Sequence, residues 1–290
     1  MADKGRSPYS AAMHIIPRAA LVFASVLLSA PAQAARITPV CAGLMQKAAS
    51  LLAEDVFQSN LLLFSAAGSG CEDLVRGLLA RGVAIDARDR LGRTALALAA
   101  KEGRAAVAEL LIEKGAAIDA RAISGATPLF LATEADHSSI AKYLIAHDAN
   151  SNLTGAGGLT LLMAAAFNGN VELVDLFLKK GADPNALDAS GKAAIVYAAS
   201  RGFARAVERL IAAGVDANRK YEHGLTALMW AAGYADGAGI DDVKEVLTLL
   251  IARGAALDAH DDRGKTATEI ARDLGHAEIA DYLAAQKPAR

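Results

Sequence analysis

Large aromatic side chains are scarce: Trp, Tyr and Phe make up 5% of the 290 residues, with a single tryptophan, which argues against a core built on stacked rings. Hydrophobic residues still make up 53%, enough for a large core of small, alanine-rich contacts in which helix is favoured throughout. Cysteine is nearly absent. The two present, Cys41 and Cys71, lack Cys-x-x-Cys spacing, which argues against a redox-active pair. No excess of one charge stands out either, since the formal net charge is −2. The first 34 residues carry Lys4, Arg6 and Arg18 against Asp3, so the remainder stands at −4, and nothing in it suggests nucleic-acid binding.

Reactive groupings are also missing. None of the six histidines sits at a metal-binding or catalytic spacing. His14 lies near the start, His137 and His276 occupy one recurring position, and His147, His223 and His260 are scattered near turns. Asp183, Asp216 and Asp258 recur at one place in each period, which marks turn chemistry rather than paired catalytic carboxylates. Gly155-Ala-Gly-Gly158 imitates a phosphate loop but lacks the following Lys and Ser/Thr. The sequence thus implies no enzyme activity, no cofactor and no metal.

What is present begins with a leader. Basic residues up to Arg18 precede the apolar run Ala19–Ala30, and Pro31-Ala-Gln-Ala34 supplies small residues for cleavage before Ala35. The run has 12 residues, against roughly 20 needed to span a bilayer. This predicts a signal peptide over 1–34, starting at Met1 or Met13, and a periplasmic or secreted mature protein with no membrane attachment. In such an oxidising compartment Cys41 and Cys71 are expected to form a structural disulfide, the alternative being two unrelated buried thiols. The composition and the leader together look bacterial.

The rest is periodic. Gly92, Gly125, Gly158, Gly191 and Gly224 follow one another at 33 residues, and Gly264 comes after a step of 40. In the unit Asp89–Arg121, Thr94 is placed to cap a first helix over Ala95–Lys101, Gly103 releases the chain into a second over about 105–113, and Gly115 ends it. Pro128 suits the first turn of the corresponding helix in the next unit. Asp136 and Asp148 stand in the third unit where its siblings have glycine, which makes that unit the expected soft point. The 7 extra residues of the sixth unit fall between its helices, around Tyr234–Asp242, with Asp242 and Glu245 expected to form a capping box. Val40, Leu44, Ala48, Leu51 and Leu52 recur at helical spacing and predict a helix laid over the open end of the stack.

These units resemble the ankyrin repeat. The family core Gly-x-Thr-Pro-Leu-His-x-Ala-Ala is matched by Gly125-Ala-Thr-Pro-Leu-Phe-Leu-Ala-Thr133, Gly158-Leu-Thr-Leu-Leu-Met-Ala-Ala-Ala166 and Gly224-Leu-Thr-Ala-Leu-Met-Trp-Ala-Ala232, and its Gly-Ala-Asp-Val-Asn-Ala ending by Gly181-Ala-Asp-Pro-Asn-Ala186. No unit keeps the family histidine; Ala97, Phe130, Met163, Val196 and Met229 replace it. The resemblance implies an all-α solenoid of about seven helix-turn-helix units with short β-hairpin-like tips over 61–285, after a capping helix within 35–60 and before a tail at 286–290.

It further implies a monomeric, non-catalytic scaffold that binds another protein on hairpin tips and first helices. By repeat position this selects Arg90, Leu91, Arg93, Lys101, Glu102, Phe167, Asn168, Lys192, Arg201, Glu222, His223 and Tyr234. Of these, Phe167 and Tyr234 are the expected anchors, with Asn168, Arg201, Glu222 and His223 around them. Trp230 and Tyr197 sit at the inward position of their helices and read as core, or else as lining of the groove. A second role that the resemblance allows is protective accessory of an exported enzyme, such as one that handles peroxide.

Overall fold

The computed structural model describes residues 38–51, 55–235 and 237–286; the expected leader and the residues from 287 onward lie outside them. Among the described residues there are fifteen α-helices and no strands. α1 (Pro39–Ser50) precedes seven helix pairs: α2 (Val56–Ser69) with α3 (Glu72–Ala80), α4 (Ala95–Lys101) with α5 (Ala105–Glu113), and α6 (Pro128–Glu134) with α7 (Ser138–Ala146). Next come α8 (Leu161–Phe167) with α9 (Val171–Lys179), and α10 (Ala194–Ser200) with α11 (Ala204–Ala212). The last two pairs are α12 (Ala227–Gly233) with α13 (Ile240–Ala252), and α14 (Ala267–Asp273) with α15 (Ala277–Ala285).

Five of the seven first helices are started by a threonine, and α2 by Asp55. Thr94, Thr127, Thr160, Thr226 and Thr266 Oγ1 accept from the N–H three residues on, satisfying a donor that the helix leaves unpaired. Ala193 has no side chain to offer, and Val196 N–H donates to the Ala193 carbonyl instead. Glycines between and after the helices take positive φ, as at Gly103 (70°) and Gly115 (84°). In the third unit Asp136 and Asp148 adopt the same geometry, at 60° and 64°. Asp136 is compensated, because its Oδ1 accepts from Asn170 Nδ2 of the next unit at 2.5 Å.

First helices stack in one layer and second helices in another. Leu96, Leu129, Leu162, Ile195 and Leu228 occupy one repeat position and are all buried. Each such side chain contributes about 1.5–3 kcal/mol by leaving water. The start of the second helix reaches back to the preceding unit: Arg104 Nε donates to Gly68 O, His137 Nε2 to Lys101 O and His276 Nδ1 to Ala232 O. His137 and His276, at their recurring position, are therefore links between units.

The tips are turns closed by one recurring bond, for example Asp89 N–H to Arg93 O and Asp188 N–H to Lys192 O. Successive tips are joined by backbone at every second boundary: Ile123 N–H to Leu91 O, Ala189 N–H to Gly157 O and Asp262 N–H to His223 O. At the two boundaries between, the described residues show no such bond. Side chains cross there, with Arg121 Nη2 donating to Thr154 O and Lys192 Nζ lying 3.3 Å from Glu222 Oε2.

Three expectations are corrected locally. The covering helix ends at Ser50, and residues 56–60 already belong to α2, the first helix of the first repeat. Its packed face runs through Cys41, Leu44, Met45 and Ala48, leaving Val40 57% exposed. Part of the insertion is helical, since α13 has 13 residues against 9 in α11; Asp242 accepts from Gly239 N–H one turn earlier than the expected box. The expected disulfide, by contrast, is present: Cys41 and Cys71 are bonded, with Cα atoms 5.4 Å apart.

Candidate partner-binding face

In repeats two to six the fourth position of the first helix lies at the margin of the packed layer, whereas its counterpart in repeat seven, Ile270, is buried. Leu98, Leu131 and Ala164 stand there in repeats two to four, followed by Tyr197 and Trp230. Leu131 and Ala164 are buried there, whereas Leu98, Tyr197 and Trp230 are half-buried, and the two rings line the face. Their reading as core gives way to the groove alternative.

Two ring pairs result. Phe167, 44% exposed at the end of α8, meets Tyr197 edge-on at 6.2 Å, and the Arg201 guanidinium lies over Phe167 at 4.7 Å. Tyr234, half-buried, packs on Trp230 at 4.9 Å, and Lys192 Nζ lies over the indole at 4.9 Å. Contacts of this kind are worth about 0.5–1 kcal/mol at exposed sites. They hold rings and cations in place ahead of any partner. The two expected anchors thus head separate pairs.

Charges join the pairs. Tyr197 donates its hydroxyl hydrogen to Asp188 Oδ2. Burial, that bond and the charges of Asp188 and Glu222 all push the phenol above its ordinary pKa. Burial alone would raise the Asp188 carboxyl; donors from Tyr197, Lys192 N–H and Ser190 outweigh it and hold the carboxyl below its usual range. Glu222 pairs with Lys192 and lies 3.5 Å from the exposed His223 ring. His223 itself adopts φ 59° at its tip.

A cavity of about 200 Å³ opens beside Phe167, lined by Phe130, Leu159, Met163, Ala164 and Tyr197 with Glu134 at its side. Phe130 and Met163 hold the family's histidine position. Phe130 lies under Gly155, where a Cβ would meet its ring at 2.5 Å.

Other selected residues do different work. Asn168 Nδ2 donates to Thr133 O and Glu134 O, tying repeat four to repeat three instead of facing a partner. Arg93 is held by Asp89, whereas Arg90, Leu91, Lys101 and Glu102 are exposed but distant in the stack from the ring pairs. The insertion packs away from Phe167, with Ala238 and Asp242 against Gly202. Among the described residues no helix is long and apolar enough to cross a membrane, and no three His, Cys, Asp or Glu residues gather as a metal site.

A family model described as ankyrin repeats (3 copies) matches overlapping stretches, 41–122, 62–155, 118–188, 161–240 and 195–290. Among solved structures the chain is similar to the human ASB11 ankyrin repeat domain, with a TM-score of 0.68 and 22% identity, over 79% of this chain and 98% of that one. At that identity the likeness speaks for the fold alone. No curated protein matches the sequence.

Proposed function

The chain belongs to the ankyrin-repeat family, and from that premise we propose that it is a non-catalytic scaffold that binds another protein on the concave face of repeats four to six. The observation that carries this reading is the exposed Phe167–Tyr197 pair under Arg201, beside a cavity able to accept an apolar side chain. Large rings ringed by polar groups are common interface anchors. Trp230, Tyr234, Lys192, Glu222 and His223 extend the same face toward repeat six. Family membership by itself assigns no partner.

Place a photo-crosslinking phenylalanine analogue at position 167 in the full chain, with the exposed Glu109 on α5 as control position. One dominant adduct is expected from position 167 alone, and Phe167→Ala should remove capture while the melting temperature barely moves. Equal adducts from both positions would place binding elsewhere.

The same scaffold is proposed to act outside the cytoplasm. The leader pattern over 1–34 and the bonded Cys41–Cys71 pair support this, since such bonds persist in oxidising compartments. Intact-mass measurement of exported protein should find Ala35 at its amino terminus; a form retaining residues 19–30 would contradict it.

A further inference from the structure

The other half of the concave side has a different chemistry. Phe57 (62% exposed), Leu61, Leu91 (56%) and Ile123 (79%) form a run of large apolar side chains from α2 to the tips of repeats two and three. A cleft of about 480 Å³ lies there, with Phe57, Leu61, Phe64 and Leu98 on one side and the tip Arg88–Arg93 on the other. Exposed apolar surface gathered in this way marks an interaction site more than scattered single residues do.

Of the four arginines here, Arg93 alone has an acidic partner among the described residues. Arg88 Nη1 donates to Gly92 O and Arg121 O, and Arg121 Nη2 to Thr154 O, so both guanidiniums rest on neutral carbonyls. Arg90 is exposed and hydrogen-bonds nothing among the described residues. The nearby Asp89 is committed to Arg93. At the far tips the charges are matched instead, Lys192 with Glu222 and Arg263 with Asp261. Arg88, Arg90 and Arg121 thus set positive charge without acidic partners beside the apolar run.

We propose that this cleft is a second docking surface, for an extended peptide segment of a partner protein in which acidic residues flank apolar ones. Apolar side chains enter between Phe57, Leu61 and Leu98. Carboxylates reach Arg90 and Arg88, whose planar forks match them in geometry. Alternate side chains of an extended peptide point to opposite sides, so apolar and acidic positions interleave along it. The surface shares no residue with the Phe167 face and stands or falls separately from it.

The test pans a random-peptide phage library on the full protein and then on Arg90→Glu, Phe57→Ala and Phe167→Ala variants. These positions are exposed, so the melting temperatures should stay together. Expected is a pool rich in Asp and Glu beside Leu, Ile or Phe, weakened roughly tenfold by Arg90→Glu as one charge-assisted bond is lost. Phe57→Ala should weaken the same pool, added salt should weaken it further, and Phe167→Ala should leave it unchanged. A pool indifferent to Arg90→Glu and Phe57→Ala, a basic pool, or no pool at all would overturn the proposal. So would phosphatidylserine vesicles bound through Arg90 in the absence of such peptides. A library yielding no Phe167-dependent peptides would instead count against the face on repeats four to six.

Discussion

At its C-terminal end the stack is closed by packing: α14 and α15 bury Ile270, Ala271, Ile279, Ala280 and Leu283, with Arg272, Asp273, Glu278 and Asp281 facing outward. At its N-terminal end α1 buries only Cys41 and Ala48, with Leu44 and Met45 half-covered. Covalent and polar ties make up the difference. The Cys41–Cys71 bond joins α1 to the start of α3, and Arg81 donates to Ala48 O and Leu51 O. A solenoid needs both ends covered, and the two covers show that hydrophobic area and a chain crosslink are interchangeable means to that end. They should fail under different conditions.

Leu283→Ala tests the packed end and should have the largest effect, about 3–5 kcal/mol, because a fully buried leucine leaves a cavity. Urea unfolding followed by circular dichroism should show it; a loss under 1 kcal/mol would mean that α15 is not a working cap. Reduction, or Cys41→Ser, should remove roughly 3 kcal/mol on the chain-entropy model, concentrated on α1. Amide exchange over residues 39–50 should then become fast while repeats four to seven keep their protection. Retained protection of α1 would show that its few apolar contacts suffice.

Acid separates the ends in the opposite sense. Burial alone would raise the Asp261 carboxyl, but the Lys265 N–H, the Arg263 side chain and the Arg263 N–H donate to it and hold its pKa below the usual value. A depressed folded-state pKa stabilises the fold above the unfolded value, and that stability is lost as pH falls through the folded one. Asp261→Asn should therefore lower the melting temperature at neutral pH, with the gap to wild type closing below about pH 4. A gap that stays constant with pH would remove this group from the account. The smallest effect is expected between the ends: Asp148→Gly should add about 0.5–1 kcal/mol, since this aspartate sits at positive φ without a side-chain bond. Asp136→Gly should gain less, because it also loses the Asn170 bond.

The period, the threonine caps and the glycine positions were legible in the sequence because each reports local backbone chemistry that every unit repeats. Phe167 was legible for the same reason: its repeat position fixes its direction. For Tyr197 and Trp230 the sequence left core and groove both open, because cover at the fourth helix position varies: Leu131 and Ala164 are buried there, while Leu98, Tyr197 and Trp230 are half-buried. The break from Leu98, Leu131 and Ala164 to two rings was the available signal. Asn168 carries a tie that was not legible, for another reason. Its amide meets carbonyls of Thr133 and Glu134, about one period back, and no local rule announces a bond across units.

The alternation of tip bonds has a mechanical consequence. A backbone bond between tips is short and has no rotatable side-chain arm, whereas Arg121 and Lys192 span their boundaries on several freely turning carbons. Bending stiffness along the tip edge is thus uneven, and compliance gathers at the boundaries of repeats three with four and five with six. Between them, repeats four and five are joined by the Ala189–Gly157 backbone bond and carry both Phe167 and Tyr197. Any flexing at the boundary of repeats five and six would therefore change the spacing between the Phe167–Tyr197 pair and Trp230, with the Lys192 side chain as the tether across it.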